Sequence, residues 1–312
     1  GHDGTIADGD DMSPNARDPE SDIDGATAEA TEAHDGDRTP GSAPGEADTE
    51  ASAAPGEDTA ESESPWAPSP PRVFRYADAD ALADAAASRF LDSAERAVAK
   101  DGQFIVVLAG GSTPRGMYRR LTESPYRESV PWDRTFFVFG DERCVPPDHE
   151  DSNYRMARET LFEPLEIPEL RVLRMKGEHK PEEAARRYEV RLGDLFLVRS
   201  KPRFDMVILG VGADGHTASL FPGTTALDET VRWVVANPVP RLDTTRLTLT
   251  FEALNATGRV LFLATGEDKA QVVAEAFGGV PHDPPHPCER VSPRHVRREV
   301  LIDHPAASRI PS

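Results

Sequence analysis

The sequence predicts an α/β fold, a mostly parallel sheet with helices on both faces, preceded by a disordered acidic tail. Three observations carry this reading. Short runs that are apolar at nearly every position recur at 104–109, 135–140 and 204–209, as expected of strands covered on both sides. Between them lie stretches with apolar residues at helical spacing, and strands alternating with such helices make a parallel sheet. Ahead of all of these, residues 1–71 show no apolar periodicity.

That leading segment holds nineteen Asp or Glu against two basic residues, Arg17 and Arg38. Like-charge repulsion and the lack of apolar surface leave nothing to offset the entropy of ordering it. The partner of such a tail, if it has one, is unknown from the sequence. The segment carries −17 of the formal charge of −20, so residues 72–312 carry about −3. The acidic balance therefore says nothing about the ligand of the folded part, and no basic stripe points to nucleic acid. The remaining 241 residues suit one α/β domain of up to about 250 residues. No run reaches the roughly 18 apolar residues of a membrane helix, and no secretory signal is visible. Two cysteines, Cys144 and Cys288, fit a reducing compartment, with two free thiols favoured over a disulfide. The expectation is a soluble cytoplasmic protein.

The elements follow in order. After the Pro-rich hinge at Pro65–Pro71, Leu82, Ala86, Phe90, Ala94 and Val98 give a helix over 78–100. FIVVLA at 104–109 is a strand ending at Gly110 and Gly111. A helix should begin at Pro114, with Thr113 as its N-cap. TFFVFG at 135–140 is the next strand, and a helix runs from about Ser152 to Phe162. Pro181, Glu182 and Glu183 open a helix to about Phe196, with acids where the dipole favours them. Strands follow at 204–209, 232–236, 246–251 and 259–264, then a helix from near Glu267 and a possible edge strand at 300–303.

Four loops after apolar runs could carry chemistry. Gly110, Gly111, Ser112 and Thr113 join a strand to a helix start, where free N–H groups and the dipole receive an anion; a capped tight turn accounts for the loop equally well. Asp141, Glu142 and Arg143 end the second strand, and the Arg143 fork suits an anionic or polarised oxygen. Asp141 could hold that arginine or a nearby histidine, although a solvated loop explains three charges as readily. In the third loop, Gly210 and Gly212 lead to Asp214 and His216. A histidine at a strand end can accept a proton from water near neutral pH. The fourth loop places Lys269 in a first helical turn, where the dipole disfavours it unless an anion is bound. Arg246, at the start of a strand, is a weaker candidate for the same anion. The glycines at 210, 212 and 215 also spell a dinucleotide fingerprint, but Pro222 and Gly223 cut the following segment too short for its helix. No zinc-type ligand set and no serine elbow are present.

Taken in order, GGSTP (110–114), GDERCVPPDHEDSNYRMA (140–157), LGVGADGHTASLFPG (209–223), RLTLT (246–250) and TGEDKA (265–270) resemble the 6-phosphogluconolactonase family. That family shares a Rossmann-like sugar-phosphate isomerase type of fold with glucosamine-6-phosphate deaminase. The resemblance covers about 72–305 and identifies 72–312 as its catalytic domain, leaving out the tail. It implies hydrolysis of 6-phospho-D-glucono-1,5-lactone in the pentose phosphate pathway, with a phosphorylated sugar lactone as the small-molecule partner and with no metal or organic cofactor. It further implies His216 as the base, Arg143 on the lactone oxygens, and Asp141 and Asp214 orienting them. The Gly110–Thr113 loop and Lys269 would hold phosphate, with Arg246 as a third element. Cys144 departs from the family pattern, which usually has an aromatic side chain there. A deaminase or isomerase on the same fold is the nearest rival, but its segment after the histidine differs from Ala218–Pro222. A non-catalytic sugar-phosphate binder and an NAD-linked oxidoreductase are the others.

Overall fold

The structure is a computed structural model that describes residues 70–197, 203–279, 283–294 and 296–311. Backbone contacts divide the chain into Gly1–Ala60 and Glu61–Ser312, and every element below belongs to the second unit. The expected tail lies outside the described residues except for its last two.

Among the described residues ten strands are formed: β1 (Arg72–Tyr76), β2 (Phe104–Leu108), β3 (Thr135–Phe139), β4 (Asp141–Arg143), β5 (Val172–Leu173), β6 (Met206–Gly210), β7 (Val234–Val239), β8 (Thr244–Leu249), β9 (Arg259–Ala264) and β10 (Arg297–Asp303). The helices are α1 (Ala79–Asp101), α2 (Ser112–Leu121), α3 (Tyr126–Ser129), α4 (Asn153–Ala157), α5 (Pro181–Phe196), α6 (Phe251–Leu254), α7 (Ala270–Phe277) and α8 (Pro287–Arg290). Seven strands make one wholly parallel sheet in the order β1-β10-β9-β6-β2-β3-β5. Every residue of β2 and β9 is buried, so both faces of the sheet are covered, as the apolar runs of β2 and of β9 after Arg259 require.

From β2 the chain order runs one way through β3 and β5, and the other way through β6, β9 and β10. The reversal between β2 and β6 opens a crevice at their carboxyl ends, where open α/β sheets receive ligands. The four candidate loops follow β2, β3, β6 and β9, which are the four central neighbours.

The elements differ from expectation in four places. The segment at 300–303 belongs to β10, which is interior; the edge is β1, whose alternating RVFRY is only half covered. The strands expected at 232–236 and 246–251 do not join the parallel sheet. They shift to β7 and β8 and form a separate antiparallel sheet with β4 in the order β4-β8-β7. α2 begins at Ser112 with Gly111 as N-cap, and no side chain caps it. Thr113 lies inside the first turn, and its hydroxyl is 2.7 Å from that of Thr265. The helix expected over 152–162 is α4 capped by the Ser152 hydroxyl, and it widens into a π-turn at Arg158–Phe162.

Candidate active site

The loops after β2, β3, β6 and β9 surround one cleft of about 240 Å³. Gly110, Gly111, Ser112, Thr113, Asp141, Arg143, His216, Arg246 and Lys269 all border it. Asp214 stands behind His216, and its carboxylate is 2.5 Å from the ring Nδ1.

The local sequence explains how that pair is held. The Gly212 N–H donates to the His216 carbonyl at 2.8 Å, and the Gly215 N–H donates to the Gly212 carbonyl at 2.9 Å. These bonds fold residues 212–216 into a tight turn. A Cβ on Gly212 would lie 2.0 Å from His216 Nδ1 and 2.7 Å from Asp214 Oδ1, so only glycine admits the ring and the carboxylate together. Behind the turn, the Thr217 hydroxyl donates to the Gly210 carbonyl at 2.8 Å. Asn237 on β7 donates to the Ser219 carbonyl at 2.9 Å, which ties the loop to the second sheet.

Asp214 accepts at both oxygens, from the His216 ring and from Arg241. Partial burial pushes its carboxyl up, but hydrogen bonds from the His216 ring and backbone, with Arg241 behind, outweigh that and hold it well below the usual carboxylate range. A charged Asp214 keeps a proton on Nδ1 and the lone pair on Nε2. Nε2 makes no hydrogen bond with any described residue. The ring lies against Phe221, with centroids 4.2 Å apart, and the Arg241 guanidinium lies 4.9 Å from the centroid of the same phenyl.

Two cations line the second-sheet side. Arg143 on β4 and Arg246 on β8 are register partners. Burial first, and the neighbouring Arg143 charge second, press the Arg246 pKa down against the opposing pull of Asp141, Asp151 and Cys144. Arg143 donates to the Asp151 carbonyl, and neither arginine makes an ion pair with a described carboxylate. On the other side, the uncapped start of α2 presents free N–H groups. Lys269, one-quarter exposed, sits beside Asp268 at 3.0 Å.

One expected role is corrected. Asp141 holds neither Arg143 nor His216. Its carboxylate accepts from the Ser219 hydroxyl at 2.6 Å and from the Asn153 carboxamide at 3.3 Å, and the Arg143 guanidinium donates to the Asp151 carbonyl.

Several residues of the site went unread. Asn153 and Ser219 border the cleft. Glu142, buried beneath it, accepts from the N–H groups of Arg143, Asn153 and Tyr154 at 2.8, 2.7 and 2.8 Å and from the Ser152 hydroxyl at 3.0 Å. Burial raises its pKa and the three N–H groups oppose the rise. An acid ten residues before a Ser-Asn helix start was the available signal, because an anion there satisfies the first-turn donors. Arg241 had none, since only folding brings it to Asp214.

An α/β protein with a cleft lined by cationic side chains and an uncapped helix start, at the switch point of a parallel sheet, is the class these features define. Within that class, the chain belongs to the glucosamine-6-phosphate isomerases/6-phosphogluconolactonase family, whose model matches residues 77–301. It is 34% identical over 202 residues to a 6-phosphogluconolactonase of Aggregatibacter actinomycetemcomitans, covering 65% of this chain and 85% of the relative. It is 36% identical over 226 residues to a probable chloroplastic 6-phosphogluconolactonase 3 of Oryza sativa subsp. indica, covering 69% of each. Among solved structures, 6-phosphogluconolactonase from Trypanosoma cruzi superposes with a TM-score of 0.69 at 28% identity, over 80% of this chain and all of that one.

Proposed function

We propose that this chain hydrolyses 6-phospho-D-glucono-1,5-lactone to 6-phospho-D-gluconate, a step of the pentose phosphate pathway. The observation that carries the reading is the Asp214–His216 pair facing the same cleft as the start of α2 and Lys269. An imidazole whose far nitrogen is free lies within one cleft of an anion-receiving end. The relatives named 6-phosphogluconolactonase support the choice of substrate.

In this reading, phosphate rests on the N–H groups of Gly111–Thr113 and on Lys269, which fixes the ring in the cleft. His216 Nε2 takes a proton from water as the water oxygen bonds to C1. Arg143 and Arg246 face the charge that develops on the carbonyl oxygen. As the tetrahedral intermediate collapses, the bond from C1 to the ring oxygen breaks. That oxygen takes the proton back from the imidazolium, leaving an open-chain acid and a neutral histidine. Asp214 holds the ring's tautomer throughout, and Arg241 and Phe221 hold Asp214 and the ring in turn. The chemistry needs one base and one oxyanion site, and the residues bordering the cleft supply both without a metal or organic cofactor.

A cytoplasmic location is part of the proposal, on the grounds of cysteine usage; both cysteines are free thiols. Among the described residues no helix is long and apolar enough to cross a membrane. The test is pH-stat hydrolysis of freshly made phosphorylated lactone beside an amino-sugar phosphate. Lactone turnover that falls at least about a hundredfold in His216→Ala, with the unfolding transition unchanged, is the expected result. Near-normal turnover in that variant rejects His216 as the base, and release of ammonia from the amino sugar would favour the deaminase reading.

A further inference from the structure

We propose that the Asn153 carboxamide oxygen accepts a hydrogen bond from one ring hydroxyl of the substrate, making Asn153 a specificity-determining residue. The inference rests on the lactonase reading and adds to it which group discriminates among sugars.

The side chain is only 3% exposed and is held from two directions. Its backbone N–H donates to Glu142 Oε1 at 2.7 Å. Its Nδ2 donates to the Asp141 carbonyl at 3.0 Å and to Asp141 Oδ1 at 3.3 Å. Those two acceptors fix the amide orientation, because exchanging oxygen and nitrogen would set acceptor against acceptor. The oxygen left over accepts no hydrogen bond from any described residue and is not sealed away from the cleft that Asn153 borders. It lies against the anion loop, where a Cβ on Gly110 would come within 2.0 Å of it.

A neutral carboxamide oxygen accepts only. It repels the phosphate and the developing oxyanion, and it suits a donor that remains protonated throughout. A ring hydroxyl is that donor. The oxygen lies between the start of α2 and Asp141, along the path of a sugar gripped at its phosphate. An acceptor this buried is costly to cover without bonding it, so sugars lacking the matching hydroxyl are rejected.

The experiment measures kcat/KM on the parent 6-phospholactone and its 2-, 3- and 4-deoxy forms, for the wild type and Asn153→Ala. The wild type should lose about tenfold or more on one deoxy form, consistent with an unmatched buried acceptor. Asn153→Ala should lose a similar factor on the parent and treat the parent and that deoxy form alike within about twofold. A wild type indifferent to all three deletions overturns the inference while leaving the lactonase reading standing; this arm needs no variant to fold. A variant that keeps the full wild-type discrimination overturns it too. No hydrolysis of the parent lactone by the wild type removes the lactonase reading, and the inference with it.

Discussion

Gly212→Ala isolates one contact on which the proposed base depends. The backbone there lies outside the left-handed region, so alanine is conformationally allowed. The added methyl has a single consequence: it would lie 2.0 Å from His216 Nδ1 and 2.7 Å from Asp214 Oδ1. Ordinary contact needs about 3.5 Å, so the ring must withdraw by about 1.5 Å or the turn must open. Either movement breaks the 2.5 Å bond that sets the tautomer. A displacement of about 1 Å at a reacting group costs on the order of a hundredfold in rate, or about 2.7 kcal/mol of barrier. The turn lies at the surface end of β6, so the fold should hold. Steady-state lactone hydrolysis is the assay, with urea unfolding alongside. The expected result is a kcat lowered about a hundredfold or more, a KM changed by less than about threefold because the phosphate end is untouched, and an unfolding midpoint close to wild type. A kcat within about threefold of wild type would refute the argument that the glycine exists to admit the Asp–His pair.

Other substitutions separate the remaining parts. Glu142→Gln puts an amide NH₂ where two donors converge; two unmatched donors at about 1–3 kcal/mol each predict a loss of about 2–6 kcal/mol, read as a lower urea midpoint at constant m. Lys269→Ala should raise KM for the phosphorylated lactone about tenfold or more and barely alter hydrolysis of the unphosphorylated one, consistent with the loss of a charge-assisted bond; equal losses on both would remove Lys269 from the phosphate site. Arg241→Ala removes an ion pair whose arginine is half exposed, so kcat should fall by less than about fivefold, far short of Gly212→Ala.

The parallel sheet was legible because β2, β6 and, after one leading polar residue each, β3 and β9 are apolar runs, and the cleft because a glycine ends or follows each of these strands within two residues. What escaped the sequence depended on contacts between distant segments. β4 is three residues of charge, Asp141–Arg143, and nothing in DER signals a strand; it becomes one by pairing with β8. β5 has two residues, too few for any periodicity. Thr113 is a good cap in isolation, yet Thr265, 152 residues away in sequence, takes its hydroxyl. Asp141 was read as a partner for Arg143 from proximity in sequence, and the two do share a face of β4, but Ser219 and Asn153, from distant segments, donate to its carboxylate instead.

The cross-strand register of Arg143 and Arg246 has a practical side. Like charges set directly opposite each other weaken a ladder, and this ladder is only three pairs long. Any multivalent oxyanion that settles between them neutralises that repulsion and competes with substrate at once. Protein kept in phosphate or sulfate buffer should therefore melt later and turn over more slowly than the same protein in chloride. Thermal shift and assay buffers for this molecule have to be chosen together.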